Sequence, residues 1–200
     1  MKTLKIHLIR HGETAANTLG QFVGTTDLAL TMESADELEK LQKEGTYPYV
    51  EQVYSSPLRR CTQTAILIYP GEPIIPVDNM REYNFGEFEG KSGAELEENP
   101  DYINWIAGKL PAPPGGETTK DFTIRLCVGL RQIVEDMMHH NYTTAAVITH
   151  GGAIMSILDA CALPRRKKFE WLCEAGHGYT IMITPSVYHS NGIIEVIDSF

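Results

Sequence analysis

The sequence predicts an α/β fold, a three-layer α/β/α sandwich around a mostly parallel central sheet. Short apolar runs alternate with stretches of helical periodicity along most of the 200 residues, and this alternation is typical of such sandwiches. The length suits one domain, or one domain with an elaborated cap. The sequence contains no repeat, low-complexity segment or linker. We therefore predict a single domain over residues 1–200.

Strands are predicted where short runs rich in isoleucine, valine and leucine end in turn residues. Six such runs cover residues 4–9, 50–54, 74–77, 145–149, 179–184 and 193–197. The run at 74–77 follows Pro73 and contains Pro76. Because proline cannot donate to a neighbouring strand, we expect this run to be short or to lie at an edge of the sheet.

Helices are predicted where apolar residues recur every three or four positions. They cover residues 32–44, 58–69, 118–140 and 152–162, with short helices between 92 and 109. Thr31 is expected to cap the first of these helices, and Pro70 follows the second. Residues 12–30 and 78–91 are rich in turn residues and are predicted as loops.

The balance of charges limits the classes of partner. Seventeen basic and 26 acidic residues give a net charge of -9, which argues against nonspecific binding to nucleic acid or to an anionic membrane. The four cysteines form no Cys-x-x-Cys pair, so we predict free thiols rather than disulfides or a metal site. The sequence has no cleavable leader and no apolar run of transmembrane length, and we expect a cytoplasmic protein.

Histidine follows two of the predicted strands at the point where each strand ends. The first strand leads into Arg10-His11-Gly12, and the strand at 145–149 leads into His150-Gly151-Gly152. A charge beside a buried strand needs a partner to offset its desolvation, and parallel sheets bind ligands beyond the carboxyl ends of their strands. We therefore predict a crevice that binds an anion, most simply a phosphate.

A third strand end supplies arginine to the same crevice. Arg59 and Arg60 follow the strand at 50–54. We expect Arg59 to reach the crevice and interpret Arg60 either as a solvated residue of the following helix or as the partner of a carboxylate. The guanidinium group suits this task because its planar fork binds two phosphate oxygens at once.

These residue types fit the chemistry of a phosphate monoester. A neutral imidazole has a lone pair that can attack phosphorus, and a carboxyl group of raised pKa can protonate the leaving oxygen. Glu82 follows the third strand closely, so we predict it as the acid, whereas Glu87 and Glu89 are interpreted as solvated or structural. Arginines can supply the positive charge, so the prediction includes no metal and no cofactor.

The motifs together resemble the histidine phosphatase superfamily, in its phosphoglycerate-mutase-like branch. Five of them occur in the family order between residues 4 and 152. They are Arg10-His11-Gly12 with Asn17, Ser56-Pro57-Leu58-Arg59-Arg60, Glu82 with Phe85-Gly86, Pro114-Gly115-Gly116-Glu117, and Thr149-His150-Gly151-Gly152. The spacing of 85–90 is most similar to that of short bacterial phosphatases, a group that includes α-ribazole phosphatase. The resemblance implies a phosphoglycerate mutase-like fold.

The resemblance also implies a role for each site residue. His11 would be the nucleophile that forms a phosphohistidine, and Glu82 would be the general acid and then the general base. Arg10, Arg59 and His150 would hold the phosphoryl group. The other implied substrate-binding residues are Asn17, which would donate to the phosphate, and Gly12, Thr14, Gln21, Gly24 and Gly151.

Departures from the mutase pattern favour hydrolysis. Gln21 and Val23 stand where many mutases carry a charge and a hydroxyl group, so a bisphosphate would be held less well and water would reach the phosphohistidine. The sequence therefore favours a phosphatase acting on a small phosphorylated metabolite. The alternatives are a 2,3-bisphosphoglycerate-dependent phosphoglycerate mutase and a catalytically silent protein that binds a phosphate ligand.

The choice of substrate is expected to lie in a small cap at about residues 91–116, where Tyr102, Trp105 and Ile106 could form an apolar wall. The sequence leaves open α-ribazole phosphate, a sugar phosphate or phosphoglycerate as the small-molecule partner. It also leaves open whether the protein is a homodimer.

Overall fold

The computed structural model describes residues 2–200, and residue 1 of the predicted domain lies outside that range. Seven strands form one sheet. They are β1 (Leu4–Arg10), β2 (Gln52–Ser55), β3 (Ile74–Pro76), β4 (Thr144–Thr149), β5 (Ala162–Leu163), β6 (Gly178–Ile183) and β7 (Ile194–Ser199). Their order across the sheet is β3-β2-β4-β1-β6-β7-β5, so β3 lies at an edge, as its prolines predict.

The sheet is mostly parallel, as predicted. β1, β4, β2 and β3 pair in parallel, and β5 is parallel to β7. β6 pairs antiparallel with both β1 and β7, so it is the strand that runs against the other six. The carboxyl ends of β1, β2 and β4 therefore lie side by side at one end of the sheet.

Helices cover both faces of this sheet. They are α1 (Ala15–Thr18), α2 (Met32–Lys43), α3 (Arg59–Ile68), α4 (Pro100–Ile106), α5 (Thr119–His140), α6 (Gly151–Cys161) and α7 (Pro185–Asn191). Short 3-10 helices cover Asp78–Met80, Gly86–Phe88 and Lys168–Trp171. No helix within residues 2–200 combines the length and the apolar character that crossing a membrane requires.

Two hydrophobic cores separate the three layers. Successive residues of a strand point to opposite faces, so Leu8 packs in the core beneath α5 and α6, whereas Ile9 packs in the core beneath α2 and α3. Leu126 of α5 and Ile154 of α6 fill the first core, and Ala65 of α3 contributes to the second. The three-layer sandwich predicted from the alternation of elements is thus confirmed.

Capping residues set the starts of the longer helices. The Thr31 hydroxyl accepts from the Ser34 amide at 3.2 Å, which confirms its predicted place as the N-cap of α2. Thr118 accepts from the Asp121 amide at 3.0 Å and begins α5 in the same way. Asn141 adopts the left-handed conformation with φ of 61° and ends α5.

Within residues 2–200, the three short 3-10 helices were not predicted, and neither were α1, α7 and β5. α1 has four residues and β5 has two, which is too short for a periodic pattern to be visible. α7 has seven residues and begins at Pro185, where the fixed φ of proline suits the first turn of a helix. These elements form because neighbouring parts of the chain pack against them, which periodicity alone does not record.

Aromatic side chains hold the segment 91–116 to the rest of the protein. α4 confirms a short helix in this segment, and Gln21 forms an antiparallel bridge with Ser92 at its start. The rings pack on one another with centroids 5.0–6.2 Å apart. The aromatic cluster, as we call this group, consists of Phe22, Tyr83, Phe85, Phe88, Tyr102 and Trp105.

Candidate active site

The carboxyl ends of β1 and β4 bring two histidines together. The two strands are neighbours, with Arg10 opposite Thr149, and the His11 amide donates to the Thr149 carbonyl at 2.9 Å. The imidazole rings of His11 and His150 consequently lie edge to face, with centroids 5.0 Å apart. Both side chains are buried. The structure thus brings the two histidine motifs together, as the sequence predicts.

The neighbours of His11 fix which ring nitrogen carries its proton. Nδ1 lies 2.5 Å from the Gly12 carbonyl oxygen, and a carbonyl can only accept, so Nδ1 must donate. Nε2 is left with the lone pair. Burial, and then the positive charge of Arg60, lower the pKa of His11 to about 3, so the ring is neutral at physiological pH and Nε2 is free to act as a nucleophile.

Arg60, and not Arg59, is the arginine of this site. Its side chain is 1% exposed, and its Nε–H points at both His11 Nε2 and His150 Nδ1, each at 3.3 Å. Its Nη1 and Nη2 donate to the carbonyls of Thr26 and Gly24 at 2.9 and 2.8 Å. The prediction that Arg59 reaches the crevice and Arg60 is solvated is therefore wrong.

The rotation of the helix explains the error. Successive residues of an α-helix differ by about 100° in direction, and the buried face of α3 begins at Arg60 and Cys61, which leaves Arg59 outside it. Arg60 shares the buried face of α3 with Thr64 and Ile68, whereas Arg59 is exposed and its amide donates to Asp27. The sequence carried this signal, because positions 60, 64 and 68 follow one another at a spacing of four.

His150 begins α6 and is held from two sides. Its Nδ1 accepts from Arg60, so Nε2 carries the proton and donates to Ser56 Oγ at 2.9 Å. Burial, and then the proximity of His11 and Arg60, place its pKa well below the usual value, so this ring is also neutral. Ser56 was predicted only as part of a motif, and the structure places its hydroxyl group in the site.

Glu82 lies opposite these residues, next to the first turn of α6. Its Oε2 accepts from the Gly152 amide at 3.0 Å and its Oε1 from the Tyr83 amide at 2.8 Å. It is 9% exposed, and burial raises its pKa although both amide bonds and the two arginines oppose the rise. A side chain at Gly152 would clash with it, since a Cβ atom there would lie 2.5 Å from Glu82 Oε1.

An ion pair behind Glu82 holds its backbone. Arg125 of α5 pairs with Glu117 at 2.6 Å and donates to the carbonyls of Asn79, Arg81 and Glu82 at 3.0–3.2 Å. Glu117 in turn accepts from the Asn84 amide at 2.8 Å. The chain around Glu82 is therefore fixed by hydrogen bonds from α5.

Arg10 lies at the end of β1, beside the first residue of α6. Its Nη1 donates to the Cys173 carbonyl at 2.8 Å, and its side chain runs past Gly151, where an added Cβ atom would lie 3.5 Å from Arg10 Cδ. Arg10 is half-buried. It also lines a cavity of about 800 Å³ whose other walls include Ala15 and Thr18 of α1 and the carboxylates of Glu13, Glu33, Glu37 and Glu174.

The loop after His11 is ordered by its own side chains. The backbone N–H and hydroxyl group of Thr14 both donate to Asn17 Oδ1 at 2.9 Å, which fixes the orientation of the Asn17 side chain. The Gly12 amide donates to Thr64 Oγ1 at 3.0 Å. Its backbone donor is therefore already used within the protein.

Glu89 organises the loop that holds Arg60, a role the sequence did not reveal. Its carboxylate accepts from the amides of Gly24, Thr25 and Thr26 at 2.9–3.2 Å and from the Thr26 hydroxyl at 2.6 Å. Burial raises its pKa, but these hydrogen bonds outweigh burial and the pKa is lowered overall. The Gly24 amide is therefore bonded to Glu89 and its carbonyl to Arg60, so neither group is left for a ligand. Gln21 forms the backbone bridge to Ser92.

Known proteins match both this sequence and this fold. A metal-independent phosphoserine phosphatase of Arabidopsis thaliana is 32% identical over 165 residues, 76% of this chain and 66% of that protein. A 2,3-bisphosphoglycerate-dependent phosphoglycerate mutase of Corynebacterium diphtheriae is 29% identical over 135 residues, 62% of this chain and 54% of that protein. The alpha-ribazole phosphatase of Shigella flexneri, 22% identical, has a TM-score of 0.80 over 97% of this chain and 95% of its own, which shows a shared fold.

The match also extends to a family model. The model described as "Histidine phosphatase superfamily (branch 1)" aligns with residues 6–183. That range contains the site from His11 to His150 and all but one strand of the sheet. The chain belongs to the histidine phosphatase superfamily, branch 1.

Proposed function

We propose that the protein is a metal-independent phosphomonoesterase that works through a phosphohistidine on His11. The family and its relatives named as phosphatases support a phosphatase acting on small phosphorylated compounds. The proposal that His11 is the nucleophile rests on the protonation state and surroundings of its imidazole. It is a buried, neutral imidazole whose Nε2 lone pair faces the guanidinium of Arg60 at 3.3 Å.

In the first half of the proposed reaction, Arg10, Arg60 and His150 hold the phosphate dianion. The lone pair of His11 Nε2 forms a bond to phosphorus while the ester P–O bond breaks. The departing alkoxide takes the proton of Glu82, a group whose raised pKa suits an acid at neutral pH. Arg60 Nε–H turns from the two imidazoles to the phosphoryl oxygens, whose charge it then stabilises.

In the second half, water replaces the alcohol. Glu82, now a carboxylate, accepts a proton from water as its oxygen bonds to phosphorus, and the P–N bond breaks with its electron pair returning to Nε2. Inorganic phosphate leaves and Glu82 is again protonated. Arg10 and Arg60 supply the positive charge throughout, so we expect turnover to be unaffected by a chelator such as EDTA.

Trapping the phosphoenzyme tests this proposal. After brief reaction with a radiolabelled phosphate monoester and denaturation, the label should be stable in alkali, labile in acid, and located on the peptide that contains His11. His11→Ala should abolish both the label and the turnover. His139→Ala, at the end of α5 and outside the site, is the matched control and should label normally.

Other results of this experiment would contradict the proposal. Turnover that survives in His11→Ala would remove His11 as the nucleophile. Tight binding of inorganic phosphate without label or turnover on any ester would favour the catalytically silent alternative.

The mutase alternative differs in which acceptor receives the phosphoryl group. Two relatives are named phosphoglycerate mutases, but Gln21 and Val23 offer no charge to hold a second anionic group. We therefore expect the isolated phosphoenzyme to transfer its label to water at the same rate with and without added monophosphoglycerate. Transfer to the added phosphoglycerate would identify a mutase.

Phosphoserine and 3-phosphoglycerate form a matched pair of substrates, since they differ only in an ammonium or a hydroxyl group at C2. One relative is named a phosphoserine phosphatase, and four carboxylates line the cavity that Arg10 borders. Like charges repel and opposite charges attract across such a cavity, so we expect the larger kcat/KM for phosphoserine. An equal or larger value for 3-phosphoglycerate would contradict this choice of substrate, but not the phosphatase mechanism.

A further inference from the structure

Two cysteines outside the active site lie in contact with each other. Cys127 is on α5 and Cys161 is the last residue of α6, and their sulfur atoms are 3.8 Å apart. Both side chains are partly exposed and both are free thiols. A disulfide has sulfur atoms about 2.05 Å apart, so the two sulfur atoms, already in contact, must move closer for a bond to form.

A reagent from solution can reach this pair. The two cysteines line a cavity of about 550 Å³ between α5, α6 and α7, together with Arg131, Tyr188 and His189. Of the other two cysteines, Cys61 on α3 is fully buried, whereas Cys173 is partly exposed and lines a separate cavity of about 260 Å³. Burial raises the pKa of both of these thiols, and in the described part of the chain neither has a second thiol beside it.

The surroundings activate one thiol of the pair. The contact with the Cys161 thiol, in which either sulfur can donate, and then the charge of Arg131 one turn further along α5, lower the pKa of Cys127 to about 7, although burial opposes this. The same contact raises the pKa of Cys161, because its proton is shared with the neighbouring thiolate. Since the thiolate is the reactive form, Cys127 is the attacking sulfur and Cys161 lies ready to resolve the product.

We propose that Cys127 and Cys161 are an oxidisable thiol pair, which a low-molecular-weight disulfide such as oxidised glutathione converts into an intramolecular disulfide. The Cys127 thiolate attacks one sulfur of the reagent, forms a mixed disulfide and releases one glutathione thiolate, which takes up a proton. Cys161 then loses its proton and attacks the Cys127 sulfur, releasing the second glutathione. Two protein thiols are oxidised by two electrons, and one glutathione disulfide is reduced to two thiols.

The disulfide would tie the end of α6 to the middle of α5. α6 begins at Gly151, directly after His150, and α5 carries Arg125, which holds the backbone of Glu82. The bond therefore joins the two helices that position opposite sides of the site. A cross-link of this kind restricts the unfolded chain, so the oxidised protein should have a higher Tm than the reduced protein.

Peptide mapping of the whole protein after treatment with oxidised glutathione tests the proposal. Two of the four thiols should be lost, a cross-linked pair of peptides containing Cys127 and Cys161 should appear, and dithiothreitol should reverse both changes. Cys173→Ala should behave like the wild type. A mixed disulfide that persists on Cys127, loss of Cys173 in place of Cys161, or no loss of thiol would each overturn the proposal.

The pH dependence of alkylation gives a second measurement that does not depend on disulfide formation. The rate at which iodoacetamide modifies Cys127 should reach half of its maximum near pH 7, where the Cys127 thiol titrates. In Cys161→Ala the midpoint should move up by about 1 pH unit or more, toward the value of about 8.5 of an unperturbed cysteine. An unchanged midpoint in that variant would show that Cys161 does not activate Cys127.

Discussion

Two neighbouring regions, the phosphate end of the site and the aromatic cluster, are built in different ways. At the phosphate end, buried polar side chains are held by backbone groups, as when Arg60 donates to the Gly24 and Thr26 carbonyls and Glu82 accepts from the Gly152 amide. The aromatic cluster, which includes Tyr83 next to Glu82 in the chain, is held by ring packing. Beside it, Ile103 and Ile106 of α4 are 44% and 62% exposed.

We expect this difference to separate the residues that carry the chemistry from those that select the substrate. Hydrogen bonds depend on direction, and a buried polar group that loses its partner costs about 1–3 kcal/mol, so the phosphate end should tolerate little change. Packing between rings is less directional and tolerates changes of shape that conserve volume. We therefore expect substitutions to affect catalysis strongly at the phosphate end and to affect substrate preference at the aromatic cluster.

The adjacent arginines of α3 give the largest expected contrast. Arg60→Ala removes the guanidinium that faces both histidines, and loss of one such donor to a developing charge typically lowers kcat by about 10²–10³. Arg59→Ala removes an exposed side chain one residue away and should change kcat/KM by less than about twofold. Steady-state kinetics on one aryl phosphate compares the two, and equal losses would contradict the assignment of Arg60 to the site.

Glu82→Gln should separate substrates by their leaving groups. A general acid contributes about 10²–10⁴ when the leaving alkoxide is a poor one, so hydrolysis of alkyl phosphates should fall by that factor. Nitrophenyl phosphate, whose leaving group needs no proton, should lose much less. Because burial raises the pKa of Glu82, the alkaline limb of the wild-type profile of kcat/KM should disappear in the variant.

A comparison with Glu87→Gln keeps this test specific, since Glu87 is exposed and five residues away. Equal losses on alkyl and aryl esters, or a retained alkaline limb, would count against Glu82 as the acid.

Residues at the ends of strands could be placed from the sequence, whereas contacts made by the folded loops could not. His11 and His150 could be placed because each directly follows a run of apolar residues, and parallel neighbours bring such ends together. The role of Arg60 could in principle have been inferred from the sequence, because the buried face of α3 recurs every four residues. The role of Glu89 could not, because its partners are loop amides more than 60 residues earlier in the chain. No periodicity in the sequence indicates a contact of that kind.

Glu89→Gln should have a moderate effect through Arg60. The neutral amide accepts the Gly24, Thr25 and Thr26 hydrogen bonds less well, and loss of charged hydrogen bonds costs about 1.5–3 kcal/mol. The loop that carries the Gly24 and Thr26 carbonyls would then hold Arg60 less firmly, so phosphate affinity should fall. The free energy of unfolding and the Kd for inorganic phosphate, both at pH 7, measure these two effects.

The pH dependence of this difference has a definite sign. Since the pKa of Glu89 is lowered in the folded protein, its stabilising contribution is complete above its unfolded pKa of about 4.3 and is lost as the pH falls through the folded value. The gap in stability between the wild type and Glu89→Gln should therefore narrow on acidification. Glu87→Gln is the control, and a gap that stays constant with pH would mean that the carboxylate of Glu89 is not what stabilises the loop.

Trp105→Ala should have the smallest effect on catalysis and the clearest effect on substrate preference. Trp105 packs against Tyr83 and Phe88, with ring centroids 6.1 and 5.8 Å away, and it contacts none of the charged groups of the phosphate end through a hydrogen bond described within residues 2–200. The Kd for inorganic phosphate should stay within about twofold of the wild type. The ratio of kcat/KM for aryl phosphates to that for small alkyl phosphates should fall, because the apolar surface that an aryl group would pack against is lost.

Ile106→Ala, on the exposed side of α4, is the control for Trp105→Ala. If Trp105→Ala weakened phosphate binding as much as Arg60→Ala, the aromatic cluster would contribute to phosphate binding as strongly as the phosphate end does. The expected separation of chemistry from substrate choice would then be wrong.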